Sequence, residues 1–143
     1  SVHPQIEKMA NQYKLTTPLI LNHYINNSEI PNKLNESSII LVLSNNNNRG
    51  IMTTKFFEAL GVEKPILCVR SDDGYLAQTI KETKSGLAAT NVNEIKNFIL
   101  YHYNQWKKLG YTHVEIKNKN QFSRQNQAIQ FEEILKKTIN HAE

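Results

Sequence analysis

The run Ile39-Ile40-Leu41-Val42-Leu43 constrains this chain more than any other stretch. It is continuous, aliphatic and free of alternation, so it predicts a parallel strand buried on both faces. The polar turn Asn45-Asn46-Asn47-Asn48-Arg49-Gly50 follows, and then Met52, Phe56, Ala59 and Leu60 recur at helical spacing over 52–62. A strand, a glycine-containing polar turn and a helix outline an anion site, because the first amides of a helix lack intrahelical acceptors and its dipole adds positive potential. Thr53 and Thr54 stand in that first turn.

The remaining pattern extends this unit into an alternating one. A first helix is expected over 4–14, with Ile6, Met9, Ala10 and Tyr13 on one face, then a buried strand at Pro18-Leu19-Ile20-Leu21 and a polar loop over 22–27. Ser28 reads as the N-cap of a short helix carrying Ile30 and Leu34. Further strands are predicted at 66–69, after Lys64-Pro65, and at 86–89, with a helix from Tyr75 to Thr83 between them. Asp72 and Asp73 read as caps of that helix rather than catalytic acids. Asn91 and Glu94 have capping-box spacing and open a helix that ends near Gly110, with Val92, Ile95, Ile99, Tyr103 and Trp106 as its buried face. A polar connection over 111–121 has only Val114 and Ile116 to bury. A last helix at about 121–139 is expected to turn Ala128, Phe131, Leu135 and Ile139 inward. Strands this far apart cannot form hairpins, so the expected architecture is α/β: one domain over 1–143, a Rossmann-like parallel sheet with helices on both faces.

Composition narrows the classes of function. The formal charge is +4, and the basic residues are scattered, which argues against a nucleic-acid surface. No apolar run approaches a membrane span, so a soluble chain is expected. Cys68 is the only cysteine and lies within Pro65-Ile66-Leu67-Cys68-Val69; it reads as a buried structural thiol and fits a reducing cytoplasm. His3, His23, His102, His113 and His141 show neither i, i+4 pairing nor a cysteine partner, so no metal is expected. No Ser/His/Asp or Cys/His triad stands out.

In order and spacing, several segments together resemble the C-terminal, nucleotide-sugar-binding half of GT-B-fold glycosyltransferases of the retaining, group 1 kind. These are Gly50-Ile51-Met52-Thr53-Thr54-Lys55-Phe56-Phe57-Glu58-Ala59-Leu60, Lys64-Pro65-Ile66-Leu67, Asp72-Asp73-Gly74, Ile80-Lys81-Glu82-Thr83, Gly86-Leu87 and Phe122-Ser123-Arg124 through Phe131-Glu132. The resemblance implies a donor-binding domain whose nucleotide is UDP or GDP, with no further cofactor. Its partners would be the nucleotide sugar and, through a separate N-terminal domain, a glycan or lipid-linked acceptor of a cell-surface polysaccharide. The implied location is the cytoplasm, including the inner face of the membrane.

The same resemblance implies a site. Glu58 would take the two ribose hydroxyls, since a carboxylate offers two acceptor oxygens to a vicinal diol. Amides at Thr53 and Thr54 would meet the pyrophosphate, Lys55 would add charge, and His23 and Tyr24 would lie near the base. Gly50 occupies a position where many members carry an acidic residue that contacts the sugar. The family's Arg and Lys pair for the diphosphate has no counterpart here, so the chain reads as a fragment, truncated at its N-terminus and inactive in sugar transfer by itself. Two other readings fit the plan: a nucleotide-sugar epimerase half, and a non-catalytic module that has lost the site.

Overall fold

A computed structural model describes residues 4–15, 19–20, 24–44 and 52–140. The chain divides into two compact units, Ser1–Asn32 and Lys33–Glu143. The first contains α1 (Pro4–Gln12), which has Pro4 in its first turn, where a missing N–H costs nothing. Its end is closed by Lys14 at φ 55 and by Leu15 N–H donating to the Ala10 carbonyl at 2.7 Å. The strand expected at 18–21 is not formed at Leu19 and Ile20, and Ile20 is exposed; Pro18 and Leu21 lie outside the described residues. A four-residue apolar run cannot by itself enforce pairing. Ser28 is not the N-cap expected of it. Asn26, two residues earlier, is the N-cap instead, its side chain accepting from Ser28 N–H at 3.4 Å at the start of a 3₁₀ turn, Asn27–Glu29, that leads into α2 (Ile30–Glu36).

The second unit is α/β, with a three-stranded parallel open sheet and helices. Strands β1 (Ile40–Leu43), β2 (Ile66–Val69) and β3 (Gly86–Ala89) lie in the order β1-β2-β3. Ile40 is in register with Ile66, and Ile66 with Gly86. Helices α3 (Thr54–Gly61) and α4 (Tyr75–Thr83) make the crossovers. Both pack on one face: Ile40, Val42, Ile66 and Cys68 form a single core with Phe56, Ala59 and Leu60 of α3 and Leu76 and Ile80 of α4. This alternation of strand residues is what a pleated sheet requires.

The expectation that the first of these strands is buried on both faces is corrected. Residues Leu41 and Leu43 are 58% and 73% exposed, whereas Ile40 and Val42 are buried. An edge strand is covered only where a helix lies over it, and the crossovers place theirs on the Ile40/Val42 face. β2 does fit the pattern, since its first three residues are all buried.

Helix α5 (Val92–Leu109) starts as its sequence predicts, with Glu94 N–H donating to the Asn91 side chain at 3.0 Å. The Glu94 carboxylate also reaches Thr90, accepting from its N–H at 2.8 Å and its hydroxyl at 3.0 Å, and these bonds, with smaller contributions from Asn91, lower its pKa. Of the expected buried face only Ile95 is half-buried. Val92, Ile99, Tyr103 and Trp106 are exposed, while His102 is buried and Phe98 and Gln105 are half-buried. The reason is polar: Gln105 pairs with the backbone of His113, accepting from its N–H and donating to its carbonyl, both at 3.4 Å. A helix docked through that amide turns the 98/102/105 row inward and leaves the Tyr103–Trp106 stack outside, with Lys107 over the Tyr103 ring. Burial holds the His102 imidazole below its ordinary pKa, partly offset by its hydrogen bond to Gln105.

The connection after α5 is irregular but anchored. Thr112 donates its hydroxyl to the Ser38 carbonyl at 2.5 Å, Val114 N–H reaches the Glu63 carbonyl at 3.1 Å, and Lys117 N–H reaches the Thr83 carbonyl at 2.8 Å. Ile116 is buried and Val114 half-buried, as expected. Lys119 pairs with Glu63, which lowers the pKa of that carboxyl. The last helix, α6 (Arg124–Asn140), departs from expectation: Ala128, Phe131, Leu135 and Ile139 do not point inward but are exposed. Amphipathic spacing marks a face able to bury, and among the described residues nothing covers this one.

Gly86 is the position where the sheet has no room for a side chain. A Cβ there would lie 1.8 Å from the Ile66 carbonyl oxygen, a backbone atom that cannot turn aside. Gly86→Ala is therefore expected to destabilise the second unit by at least about 1–3 kcal/mol, the usual range for overpacking, read as a lower denaturation midpoint; an unchanged midpoint would contradict this register.

Candidate functional site

The carboxyl ends of β1, β2 and β3 point the same way, and each strand hands its chain to a different structure there. β1 leads toward α3, β2 leads through Arg70-Ser71-Asp72-Asp73-Gly74 into α4, and β3 leads through Thr90 and Asn91 into α5. In open parallel sheets, ligands bind in the crevice outside these ends.

Thr53 is the N-cap of α3 in extended backbone, and its hydroxyl makes no capping bond. Phe56 N–H returns to the Thr53 carbonyl at 3.0 Å, so the amides of Thr54 and Lys55 precede the first intrahelical bond. Thr53, Thr54, Lys55 and Glu58 are all exposed, whereas Phe56, Ala59 and Leu60 fill the core from the opposite side of the same helix. Thr54 and Glu58 are four residues apart, which places them on one face and about 6 Å apart along the axis. Among the described residues, the folded chain thus presents the first two helix amides, a hydroxyl, an ammonium and a carboxylate along one exposed helix start. That set can accept an anion at its end and hydroxyl donors one turn further along.

The other candidates fall elsewhere. Tyr24 belongs to the first unit, where it is 89% exposed. His23 and Gly50 lie outside the described residues. Glu58, Thr53, Thr54 and Lys55 are therefore the ones that the fold brings together.

Asp72 works as a cap, as its sequence context predicts. Its carboxylate is buried and accepts from Gly74 N–H at 3.1 Å, Leu76 N–H at 3.3 Å and Ala77 N–H at 2.9 Å, fixing the loop that enters α4. Asp73, at φ 45, does not share the capping role expected of it: its carboxylate accepts from the Ser71 hydroxyl at 2.9 Å. Arg70 was missed by the sequence reading. It is exposed and follows Val69, whose carbonyl accepts from Ser44 N–H at 3.1 Å, so the guanidinium starts one strand over from the turn that leads to α3. Its signal was positional: it is the first residue beyond a buried parallel strand.

Among the described residues, no group of three His, Cys, Asp or Glu side chains could hold a metal ion, and no helix is long and apolar enough to cross a membrane. Compared with family models, with characterised proteins and with solved structures, the chain shows no significant match.

Cys68 sits behind this edge on the core side. Burial first, and the neighbouring Asp72 carboxylate second, push its thiol up to about 11, against a smaller opposing contribution from Ser44. The thiolate, not the thiol, is the nucleophile. Cys68 should consequently resist alkylation by iodoacetamide at neutral pH in the folded chain and react readily in denaturant; fast labelling of the native protein would contradict a structural role.

Proposed function

We propose that this chain is the nucleotide-sugar-binding region of a glycosyltransferase with a Rossmann-like, GT-B-type donor domain, acting on a hexosyl-type sugar and a cell-surface glycan acceptor. The supporting observation is the exposed start of α3 at the carboxyl edge of a parallel sheet, with Thr53, Thr54 and Lys55 ahead of Glu58 on the same helix. In this reading, the amides of Thr54 and Lys55 hold the diphosphate, and Glu58 takes the ribose diol through charge-assisted hydrogen bonds.

The chemistry proposed is electrostatic. As the glycosidic bond breaks, negative charge grows on the departing diphosphate, and donors fixed before the reaction stabilise it without reorganising. The helix start supplies part of that field. Arg70, on the neighbouring strand end, is a cation the reading can use, although the chain lacks a counterpart to the paired Arg and Lys of the resembled family. The acceptor would be held by another domain, so the chain by itself is expected to bind donor and not to transfer sugar.

Titration calorimetry with UDP, GDP and their hexose conjugates tests the reading. Binding of one nucleotide is expected, and Glu58→Ala should weaken it by about 1.5–3 kcal/mol, the worth of hydrogen bonds to a charged group. Unchanged affinity in that variant would remove Glu58 from the site, and no binding of any nucleotide at millimolar concentration would favour a module without a donor site.

A further inference from the structure

Among the described residues, β3 is the terminal strand of the sheet, and its backbone is committed to β2 on one side only. Ile66 N–H donates to the Ser85 carbonyl at 3.0 Å and Ser71 N–H to the Ala89 carbonyl at 2.8 Å. Backbone groups in a parallel ladder alternate between the two edges, so Gly86 and Ala88 turn their N–H and C=O outward. A groove of about 830 Å³ runs along this free edge, walled by Ala77, Gln78 and Lys81 of α4. Apart from Leu87, the side chains on the strand are small, and the outward-turned positions are Gly86 and Ala88, so another backbone can approach closely.

The groove is charged oppositely at its two ends. Lys81 and Lys84 stand where α4 ends and β3 begins; Asp73 stands where α4 begins, near Thr90 at the far end of β3. Asp73 accepts from the Ser71 hydroxyl through Oδ1. A twofold axis across the edge reverses the strand, so the positive end of one copy meets the negative end of the other. An unrelated acidic peptide would satisfy only one end.

We propose that two copies of this chain associate through their β3 edges, paired antiparallel with Gly86 opposite Ala88, into a continuous six-stranded sheet in which Lys81 and Lys84 of each copy face Asp73 of the other. A four-residue edge is too short to hold a stable dimer by itself, so the outer row of α4, with Ala77 near the axis, supplies the rest of the interface.

Sedimentation equilibrium of the full chain, at concentrations up to about 100 µM, where even a micromolar interface is populated, is the test. A concentration-dependent dimer is expected. Ala88→Pro deletes an outward N–H, which an edge strand tolerates, and should give a monomer with an unchanged circular dichroism spectrum. If that variant does not fold, Lys81→Glu combined with Lys84→Glu provides the second readout: it should weaken dimerisation by about tenfold or more, and adding Asp73→Lys should restore it, since the cross-axis pairs regain opposite signs. A wild-type monomer across the range overturns the proposal. So does a dimer that survives Ala88→Pro, or a charge swap that recovers nothing.

Discussion

The parallel pairing of β2 with strands on both sides is the constraint from which the rest of the second unit follows. Ile66, Leu67 and Cys68 are buried, and the registers Ile40–Ile66 and Ile66–Gly86 leave the chain no route between strands except a crossover. Those crossovers are α3 and α4, and both fall on the face carrying Ile40, Val42, Ile66 and Cys68. One consequence is energetic: the core concentrates on that side. The other is functional, because parallel strands end together and their loops gather at one edge.

The two helix starts at that edge differ in how their first amides are met. α4 begins inside a closed arrangement, with the Asp72 carboxylate taking three of its first amides. α3 begins with an N-cap threonine whose hydroxyl makes no capping bond. Two helices in the same layer therefore differ: the start of α4 is satisfied by the Asp72 carboxylate, whereas among the described residues no side chain caps the start of α3. The reading of α3 as a diphosphate and ribose site rests on this difference and on the position of Glu58 one turn along.

Much of this was legible in the chain. Lys64-Pro65 before Ile66 marks its strand sharply, the weaker run at 86–89 does form a strand, and the helix that carries Thr53, Thr54, Lys55 and Glu58 follows from apolar periodicity. What was not legible has one physical cause: apolarity records what a residue can bury, not what lies over it. Leu41, Leu43, Phe131, Leu135 and Trp106 all read as inward and are exposed. On α5 the docked row was decided by Gln105 meeting the His113 backbone, a polar contact between segments that periodicity does not weigh. Arg70 escaped for a related reason, since its place at the edge depends on which strands neighbour each other.

The central claim is that the start of α3 holds a nucleotide diphosphate. Amide chemical shifts of the ¹⁵N-labelled chain, followed while UDP or GDP is added, test it most directly. The account predicts saturable shifts at Thr54 and Lys55, extending to Glu58, with the α4 amides held by Asp72 moving little. Absence of shifts at the α3 start, or shifts confined to another part of the chain, would contradict it.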